Sequence, residues 1–216
     1  MNLRFDRRRL LALGAMLPVI ARAQPKAPAE GTDYKLVQPP LPVESGNKIE
    51  ALEFFQYSCP HCFAFNPELD AWRKKMPNDV DYRRIHINWD NSTLNHTKIY
   101  YTLEQLNRLD LHEKVFNAIH VNKKRMLDPD EIAEFMAANG IDKKQWQDMF
   151  NSFSTATRAS KAGQTWRAYK IDGTPTLACD GRYLTSPSMV GSRSGSLAVL
   201  DFLIQRARTD HGSAKK

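Results

Sequence analysis

Residues 53–62 read Glu53-Phe54-Phe55-Gln56-Tyr57-Ser58-Cys59-Pro60-His61-Cys62, an aromatic run that leads directly into two closely spaced cysteines. With residues 48–52, the aromatic run has the composition of a short buried strand. Apolar residues then recur at near-helical spacing up to residue 76, and a helix tolerates proline in its first turn. This region therefore predicts a strand, a cysteine-containing turn and a helix.

The rest of the chain continues the alternation of strands and helices. Residues 80–89 form a second strand candidate, helical signals fill residues 91–155, and a further helix is predicted at about 155–169. Residues 171–183 read as turn, strand, hairpin turn and strand, because Asp180-Gly181 is a strong two-residue hairpin signal. A helix over residues 195–208 precedes a predicted flexible tail at 209–216. We therefore expect an α/β fold in which a helical domain (91–155) separates residues 48–90 from residues 156–208.

Three helix starts are predicted inside the helical domain. Asp110 and Glu113 have capping-box spacing, Asp128 precedes a proline and two acidic residues, and Asp142 opens a segment with an apolar face. Each aspartate is expected to accept hydrogen bonds from the free N–H groups of a first helical turn.

The composition excludes several classes of protein. The chain has 216 residues, of which 42% are hydrophobic and 25% are charged, as in ordinary soluble domains and unlike disordered, fibrous or polytopic membrane proteins. Five arginines and one aspartate give residues 1–23 a net charge of +4, so the remaining 193 residues carry only +3 of the total +7. This modest, scattered charge gives no reason to expect a nucleic-acid partner.

The N-terminus reads as an export signal. Three arginines at residues 7–9 precede an apolar run at residues 10–20, and Ala21-Arg22-Ala23 offers a cleavage site after Ala23. The run is shorter than the ~20 apolar residues that cross a bilayer, although an uncleaved anchor is the alternative. The arginines fit both Sec and twin-arginine export. Residues 24–47 are rich in proline and are expected to be an extended segment without a core of its own.

The pair Cys59 and Cys62 carries the chemistry. Two cysteines separated by two residues between a strand and a helix can close a small disulfide ring. The first turn of the helix offers free N–H groups and a partial positive charge, which lower the pKa of a thiol placed there. His61 adds a donor or a positive charge. Stabilising the thiolate makes the disulfide a strong oxidant, with Cys59 as the exposed nucleophile and Cys62 as the buried resolving thiol.

Other interpretations of the cysteine pair stay open at this point. A c-type haem site is excluded, because Phe63 rather than a histidine follows Cys62. A purely structural disulfide would close too short a loop to stabilise much. A zinc or copper site would need Cys59, Cys62, the third cysteine Cys179 and a histidine. We expect Cys179 to be a small buried core residue instead.

The motif Cys59-Pro60-His61-Cys62 after a phenylalanine-rich strand, together with the later Gly173-Thr174-Pro175-Thr176, resembles the DsbA-type thiol:disulfide oxidoreductases of the bacterial periplasm. The resemblance covers residues 48–208. It implies a thioredoxin fold with an inserted helical domain and no metal or organic cofactor. It also implies that the protein oxidises unfolded or reduced exported proteins and is reoxidised by a quinone-linked membrane partner of the DsbB type.

The same resemblance assigns further residues. Pro175 would be a cis-proline facing the disulfide, which leaves the Thr174 backbone free to pair with an extended substrate. Glu53 resembles the buried carboxylate that serves this family as a proton relay. Where the family often has lysine beside that acid, this chain offers Arg84, which holds its proton and so puts the relay in doubt.

The direction of the reaction is expected to be oxidation. Isomerases and reductases of the same superfamily are the alternative within the class, and the isomerases are dimers joined by an N-terminal domain. Residues 24–47 are too few to build such a domain, because segments below about 40 residues rarely sustain a core. A monomer is therefore expected.

Overall fold

The computed structural model describes residues 27–213, so the predicted signal peptide and its cleavage site lie outside the described residues. A five-stranded sheet with the order β1-β5-β4-β2-β3 forms the centre of the described chain. The only parallel pair is β2 with β3, and the other neighbours are antiparallel. The strands are β1 (Lys35–Leu36), β2 (Ile49–Phe55), β3 (Val80–His86), β4 (Thr176–Cys179) and β5 (Tyr183–Thr185).

The central strand β2 fixes the position of the cysteine motif. All seven of its residues are buried, as expected for a strand covered on both faces. Helix α1 (Pro60–Arg73) follows it and provides the crossover that parallel pairing with β3 requires. The cysteines therefore lie where a buried strand passes into a helix, as the sequence predicts.

Five helices lie between β3 and β4 and form the inserted helical domain. They are α2 (Leu94–Gln105), α3 (His112–His120), α4 (Pro129–Ala138), α5 (Lys143–Phe150) and α6 (Phe153–Ala168). Short 3-10 turns at Asn91–Thr93 and Leu109–Leu111 precede α2 and α3. After the sheet come α7 (Pro187–Val190) and α8 (Arg193–Ser213), so the last helix continues to residue 213, inside the tail predicted at residues 209–216. The predicted α/β architecture with a helical insertion is confirmed.

Two hydrophobic clusters hold these elements together. The first cluster joins Phe55, Tyr57 and Cys62 to the buried side chains of α2–α5, including Trp146. The second cluster packs α1 and the sheet against α8 and includes Cys179. The helical domain thus shares a continuous core with the cysteine motif.

The helix starts show where local signals suffice. Asp128 accepts from the amides of two residues in the first turn of α4, and Asp142 accepts from the Gln145 amide of α5. The predicted cap at Asp110 is wrong, because α3 begins at His112 without a side-chain cap. The Asp110 carboxylate instead accepts from Arg108 at 3.0 Å. Asp110 lies inside the 3-10 turn Leu109–Leu111, and Leu111 holds the N-cap position of α3.

The proline-rich segment joins the sheet. Lys35–Leu36 pairs antiparallel with β5, and the flanking Tyr34 and Val37 are buried. The hairpin between β4 and β5 turns at Asp180 and Gly181, with φ of 54° and 67°. The Leu41 amide donates to the Gly181 carbonyl at 2.9 Å, and a Cβ on Gly181 would lie 2.1 Å from the Leu41 carbonyl oxygen. Glycine is therefore required where this segment crosses the hairpin.

Within residues 27–213, none of the helices combines the length and the apolar composition needed to span a bilayer.

Candidate active site

Cys59 is the N-cap residue of α1. Its own amide donates to the Gln56 carbonyl at 3.2 Å, which closes a turn directly after β2. The Cys62 amide donates to Cys59 Sγ at 3.4 Å, and Pro60 occupies the first helical turn, where its missing N–H is not needed. The sulfur of Cys59 thus occupies the position at which a capping side-chain oxygen usually accepts.

The two thiols of the motif have opposite acidities. All three cysteines of the chain are free. A hydrogen bond from the Cys62 thiol, aided by the Thr174 side chain and by the backbone amides of Cys62 and His61, lowers the pKa of Cys59 to about 5, although partial burial opposes this. Burial, followed by the hydrogen bond to Cys59, raises the pKa of Cys62 well above its usual range. At neutral pH the pair is therefore one half-buried thiolate beside one buried thiol.

The second predicted element of the site lies against this sulfur. The peptide bond between Thr174 and Pro175 is cis, as predicted. The Thr174 carbonyl oxygen is 3.3 Å from Cys59 Sγ, from which it accepts a hydrogen bond when the thiol is protonated. Residues that are 115 positions apart in the sequence therefore meet at the reactive sulfur.

A groove of about 700 Å³ opens beside Cys59. His61, Thr174 and Pro175 line this groove together with apolar side chains such as Leu36 and Met189, and Thr174 is the lining residue whose carbonyl contacts Cys59 Sγ. Pro60 and His61 are both exposed. Across the described residues no hydrogen bond or ion pair reaches the His61 imidazole, so its backbone amide is the part seen to act on Cys59. The side chain of His61 is a groove residue.

A buried ion pair lies beneath the motif. Arg84 Nε donates to Glu53 Oε2 at 2.7 Å, and both residues are at least nine-tenths buried. The Tyr82 hydroxyl donates to the same carboxylate oxygen at 2.6 Å. Arg84 Nη2 donates to Asn66 Oδ1 and to Asp70 Oδ1, each at 3.0 Å. The uncertain pairing of Glu53 with Arg84 is thus settled in favour of a direct contact within a larger network.

This network acts on Cys62 at a distance. After burial and the influence of Cys59, the negative charge of Glu53 contributes to raising the Cys62 pKa. Arg84 keeps its proton, because ion pairing in this network holds its pKa above the ordinary value despite burial. Arg84 therefore steadies the Glu53 charge and does not pass protons itself.

Known proteins are similar in sequence to this chain over most of its length. A family model described as a DSBA-like thioredoxin domain matches residues 77–195. The thiol:disulfide interchange protein DsbA of Burkholderia cepacia is 39% identical over 204 residues, which cover 92% of this chain and 94% of the relative. This chain belongs to the DsbA family. The DsbA protein of Bordetella pertussis is 41% identical over 202 residues, covering 93% of this chain and 96% of the relative.

A solved DsbA structure agrees with the fold. The crystal structure of Pseudomonas aeruginosa DsbA matches with a TM-score of 0.82 at 34% identity, covering 87% of this chain and 97% of that one. The thioredoxin fold with a helical insertion is therefore shown, and the DsbA-family chain described here is a thiol:disulfide oxidoreductase.

Cys179, which lies outside the DsbA-type motif, is a core residue as predicted. It pairs with Ala51 across the sheet, is fully buried, and belongs to the second hydrophobic cluster. Burial raises the pKa of Cys179, which makes it a poor nucleophile and a poor metal ligand. Among the described side chains, no group of three or more His, Cys, Asp or Glu is arranged to hold a metal. The alternative site built on Cys59, Cys62 and Cys179 is not assembled.

Sequence reasoning missed three members of the buried network. Tyr82 lies two residues before Arg84 on β3 and so shares its face of the sheet. Asn66 and Asp70 follow Cys62 at steps of four on α1, which places them on the same side of that helix. The sequence shows these spacings, but only the pairing of Glu53 opposite Arg84 in the sheet shows that the side chains form one hydrogen-bond network around this ion pair.

Proposed function

We propose that this DsbA-family protein is a periplasmic dithiol oxidase that donates a Cys59–Cys62 disulfide to newly exported proteins. The opposite pKa shifts of the two thiols support this direction most strongly. A thiolate stabilised at Cys59 makes the reduced form stable relative to the disulfide, and a stable reduced form makes the disulfide an oxidant.

The proposed reaction has two exchange steps. A substrate thiolate attacks Cys59 Sγ of the disulfide, a mixed disulfide forms, and Cys62 leaves and takes up a proton, which its raised pKa favours. A second substrate thiolate then attacks the substrate sulfur of the mixed disulfide and releases Cys59 as a thiolate. The substrate loses two electrons to the enzyme, and the low pKa of Cys59 makes it a good leaving group in the second step.

Substrate binding is assigned to the groove beside Cys59. Thr174 holds its backbone next to the reactive sulfur, so an extended substrate segment can pair with it while its cysteine reaches Cys59. The buried Pro175 offers an apolar wall at the same point. His61, at the groove rim, is proposed to stabilise the thiolate further through its imidazole, and Pro60 to keep the first turn of α1 free of a competing donor.

Regeneration and location complete the proposal. The oxidising form is restored by a DsbB-type, quinone-linked membrane oxidase, and residues 1–23 direct the chain to the periplasm, where disulfides persist. No metal or organic cofactor takes part. The protein acts as a monomer, which leaves the half-buried Cys59 accessible both to unfolded substrates and to the membrane partner.

The redox equilibrium of the Cys59–Cys62 pair against glutathione tests the direction. We expect the reduced form to dominate even in mostly oxidised glutathione. A paired assay should show fast oxidation of a reduced, unfolded substrate and poor reshuffling of a scrambled one. Light scattering should give a monomer, and elemental analysis should find no stoichiometric zinc or copper. A stable dimer with efficient reshuffling would instead identify an isomerase with the same thiol chemistry.

A further inference from the structure

Tyr57 is held by three histidines. It is fully buried and is the first central residue of the turn from Gln56 to Cys59. Each polar group of Tyr57 meets an imidazole nitrogen. Its amide donates to His86 Nε2 at 3.1 Å, its carbonyl lies 2.7 Å from His120 Nε2, and its hydroxyl lies 2.8 Å from His112 Nδ1.

Two of these histidines come from the inserted helical domain. His112 and His120 are the first and last residues of α3, and Phe116 lies midway between them. Their spacing of four places all three on one face of the helix. The Phe116 ring packs edge-on against Tyr57, with 5.1 Å between ring centroids. Three residues on one face of α3 therefore contact Tyr57, which lies two positions before Cys59.

The geometry fixes two of the protonation patterns. The Tyr57 amide can only donate, so His86 Nε2 accepts and the proton of His86 lies on Nδ1, which is 2.8 Å from Thr97 Oγ1. The Tyr57 carbonyl can only accept, so His120 Nε2 donates to it. Burial lowers the pKa of both His86 and His112 well below the ordinary value. These two imidazoles are therefore neutral hydrogen-bonding partners.

His120 also reaches the far side of the cysteine motif. Its ring stacks on Phe63, the residue after Cys62, with 4.8 Å between centroids and 9° between planes. The last residue of α3 thus contacts the chain on both sides of the motif, at Tyr57 through a hydrogen bond and at Phe63 through ring stacking. The Cys59 sulfur and the amides of His61 and Cys62 that act on it lie in the short stretch of backbone between these two contacts.

We propose that Tyr57 is a positioning residue, through which His86, His112 and His120 fix the turn that places Cys59 Sγ against the first amides of α1. Through these contacts the inserted helical domain sets how stable the Cys59 thiolate is. The inference deepens the proposed function and rests on Cys59 being the sulfur that is left as a thiolate.

The test removes the hydrogen bonds one at a time and measures the Cys59 thiolate pKa and the glutathione equilibrium constant. Tyr57→Phe keeps the ring and removes only the bond to His112. We expect the equilibrium to shift about threefold to tenfold towards the disulfide, the scale of one lost hydrogen bond, with a matching rise in the Cys59 pKa. His112→Leu should shift the equilibrium in the same direction and at least as far, because it removes the same hydrogen bond together with ring contacts of His112. In the His112→Leu background, Tyr57→Phe should add little, because the hydrogen bond that it removes is already absent.

A matched pair separates positioning from packing at His120. His120→Leu and His120→Gln both lose the ring stacked on Phe63, but only glutamine can still donate to the Tyr57 carbonyl. The glutamine variant should therefore lie closer to the wild type in both readouts. His96→Gln is the control, because His96 is as buried as His112 and lies beside the Tyr57 ring, yet its hydrogen bond goes to the Arg125 carbonyl.

The outcomes are distinguishable. If these variants lose thermal stability while the Cys59 pKa and the equilibrium constant stay at wild-type values, or if His96→Gln shifts both as much, Tyr57 has only a structural role. Should the His120 variants not fold, Tyr57→Phe alone decides, since it changes a single atom. A wild-type Cys59 that titrates like a free thiol would instead overturn the proposed oxidase.

Discussion

Cys59 and Cys179 are the same side chain at opposite ends of one pair of strands. Cys59 follows the end of β2, whereas Cys179 lies on β4 opposite Ala51, near the start of β2. Cys59 faces amides that the helix leaves free, but the amides around Cys179 are used up by the sheet. A hydrogen bond from the Cys62 thiol, aided by the free helix amides, lowers the thiol pKa at the first position, and burial raises it at the second. Placement beside Cys62 at a helix start, not residue type, therefore makes a cysteine reactive in this protein.

The largest difference is expected in activity. Cys59→Ser removes the attacking and leaving sulfur, so oxidation of a reduced substrate should fall to the uncatalysed rate. Cys179→Ala should retain nearly full activity in the same assay, because Cys179 lies in the cluster packed against α8. An activity loss in Cys179→Ala at temperatures where the variant is folded would contradict the assignment.

The next difference is the titration of the two sites. Thiolate absorbance of the reduced protein should rise around pH 5, with the amplitude of one thiolate, since the pKa of Cys59 is about 5. The step should be absent from the disulfide form and unchanged in Cys179→Ala. Mass spectrometry after brief alkylation at pH 6–7, about two units below an ordinary thiol pKa, should find label on Cys59 and not on Cys179. Labelling of Cys179 in the folded protein would show that the second hydrophobic cluster opens transiently and exposes Cys179 to solvent.

A third prediction concerns stability and pH. The pKa of Cys59 is depressed by folding, so its thiolate stabilises the reduced protein above the unfolded-state pKa, and this stabilisation is lost as the pH falls through about 5. The midpoint temperature of unfolding of the reduced form, relative to that of the disulfide form, should therefore rise between about pH 5 and pH 8. The pKa of Cys62 is raised by folding, so Cys62 lowers the stability of the reduced protein only above the ordinary thiol pKa. Differential scanning calorimetry of both forms measures the gap, and a gap independent of pH would argue against a Cys59 thiolate.

The smallest effect belongs to the core cysteine. Cys179→Ala leaves a small cavity and should lower the free energy of unfolding by about 1 kcal/mol. Cys179→Ser should cost more, because it buries a hydroxyl among apolar side chains. Urea unfolding of both variants gives the comparison. Equal stability of the serine variant and the wild type would mean that the serine hydroxyl finds a hydrogen-bond partner or water at this site, contrary to the apolar packing around Cys179.

Local patterns predicted the parts of this molecule whose causes are local. The cysteine motif, the Asp180-Gly181 turn and the caps at Asp128 and Asp142 each depend on a few neighbouring residues, and all lie where expected. The thioredoxin fold and the cis bond before Pro175 came from the family resemblance, since nothing in the residues alone distinguishes them.

The parts that sequence reasoning missed depend on distant contacts. The pairing of Lys35–Leu36 with β5 joins segments that lie almost 150 positions apart, and a strand of only two residues is too short to give a sequence pattern that predicts it. The Asp110 cap was wrong because the chain already turns as a 3-10 helix at Leu109–Leu111, which leaves Leu111 at the N-cap of α3. The histidines around Tyr57 read as unrelated residues until β3 and α3 bring them together.

The place of Cys59 at the N-cap of α1 also affects the catalytic cycle as a whole. A capping residue normally keeps one chemical state, but in the proposed function this cap alternates between a thiolate and a disulfide sulfur as electrons arrive and leave. The charged cap suits the positive end of the helix better, so the scaffold favours the spent enzyme over the loaded one. In the proposed function, oxidation of a substrate is therefore favourable, because the enzyme passes to its more stable reduced form. Reoxidation is favourable only with an electron acceptor whose reduction potential is higher than that of the Cys59–Cys62 disulfide, so the cycle needs such an acceptor outside this chain.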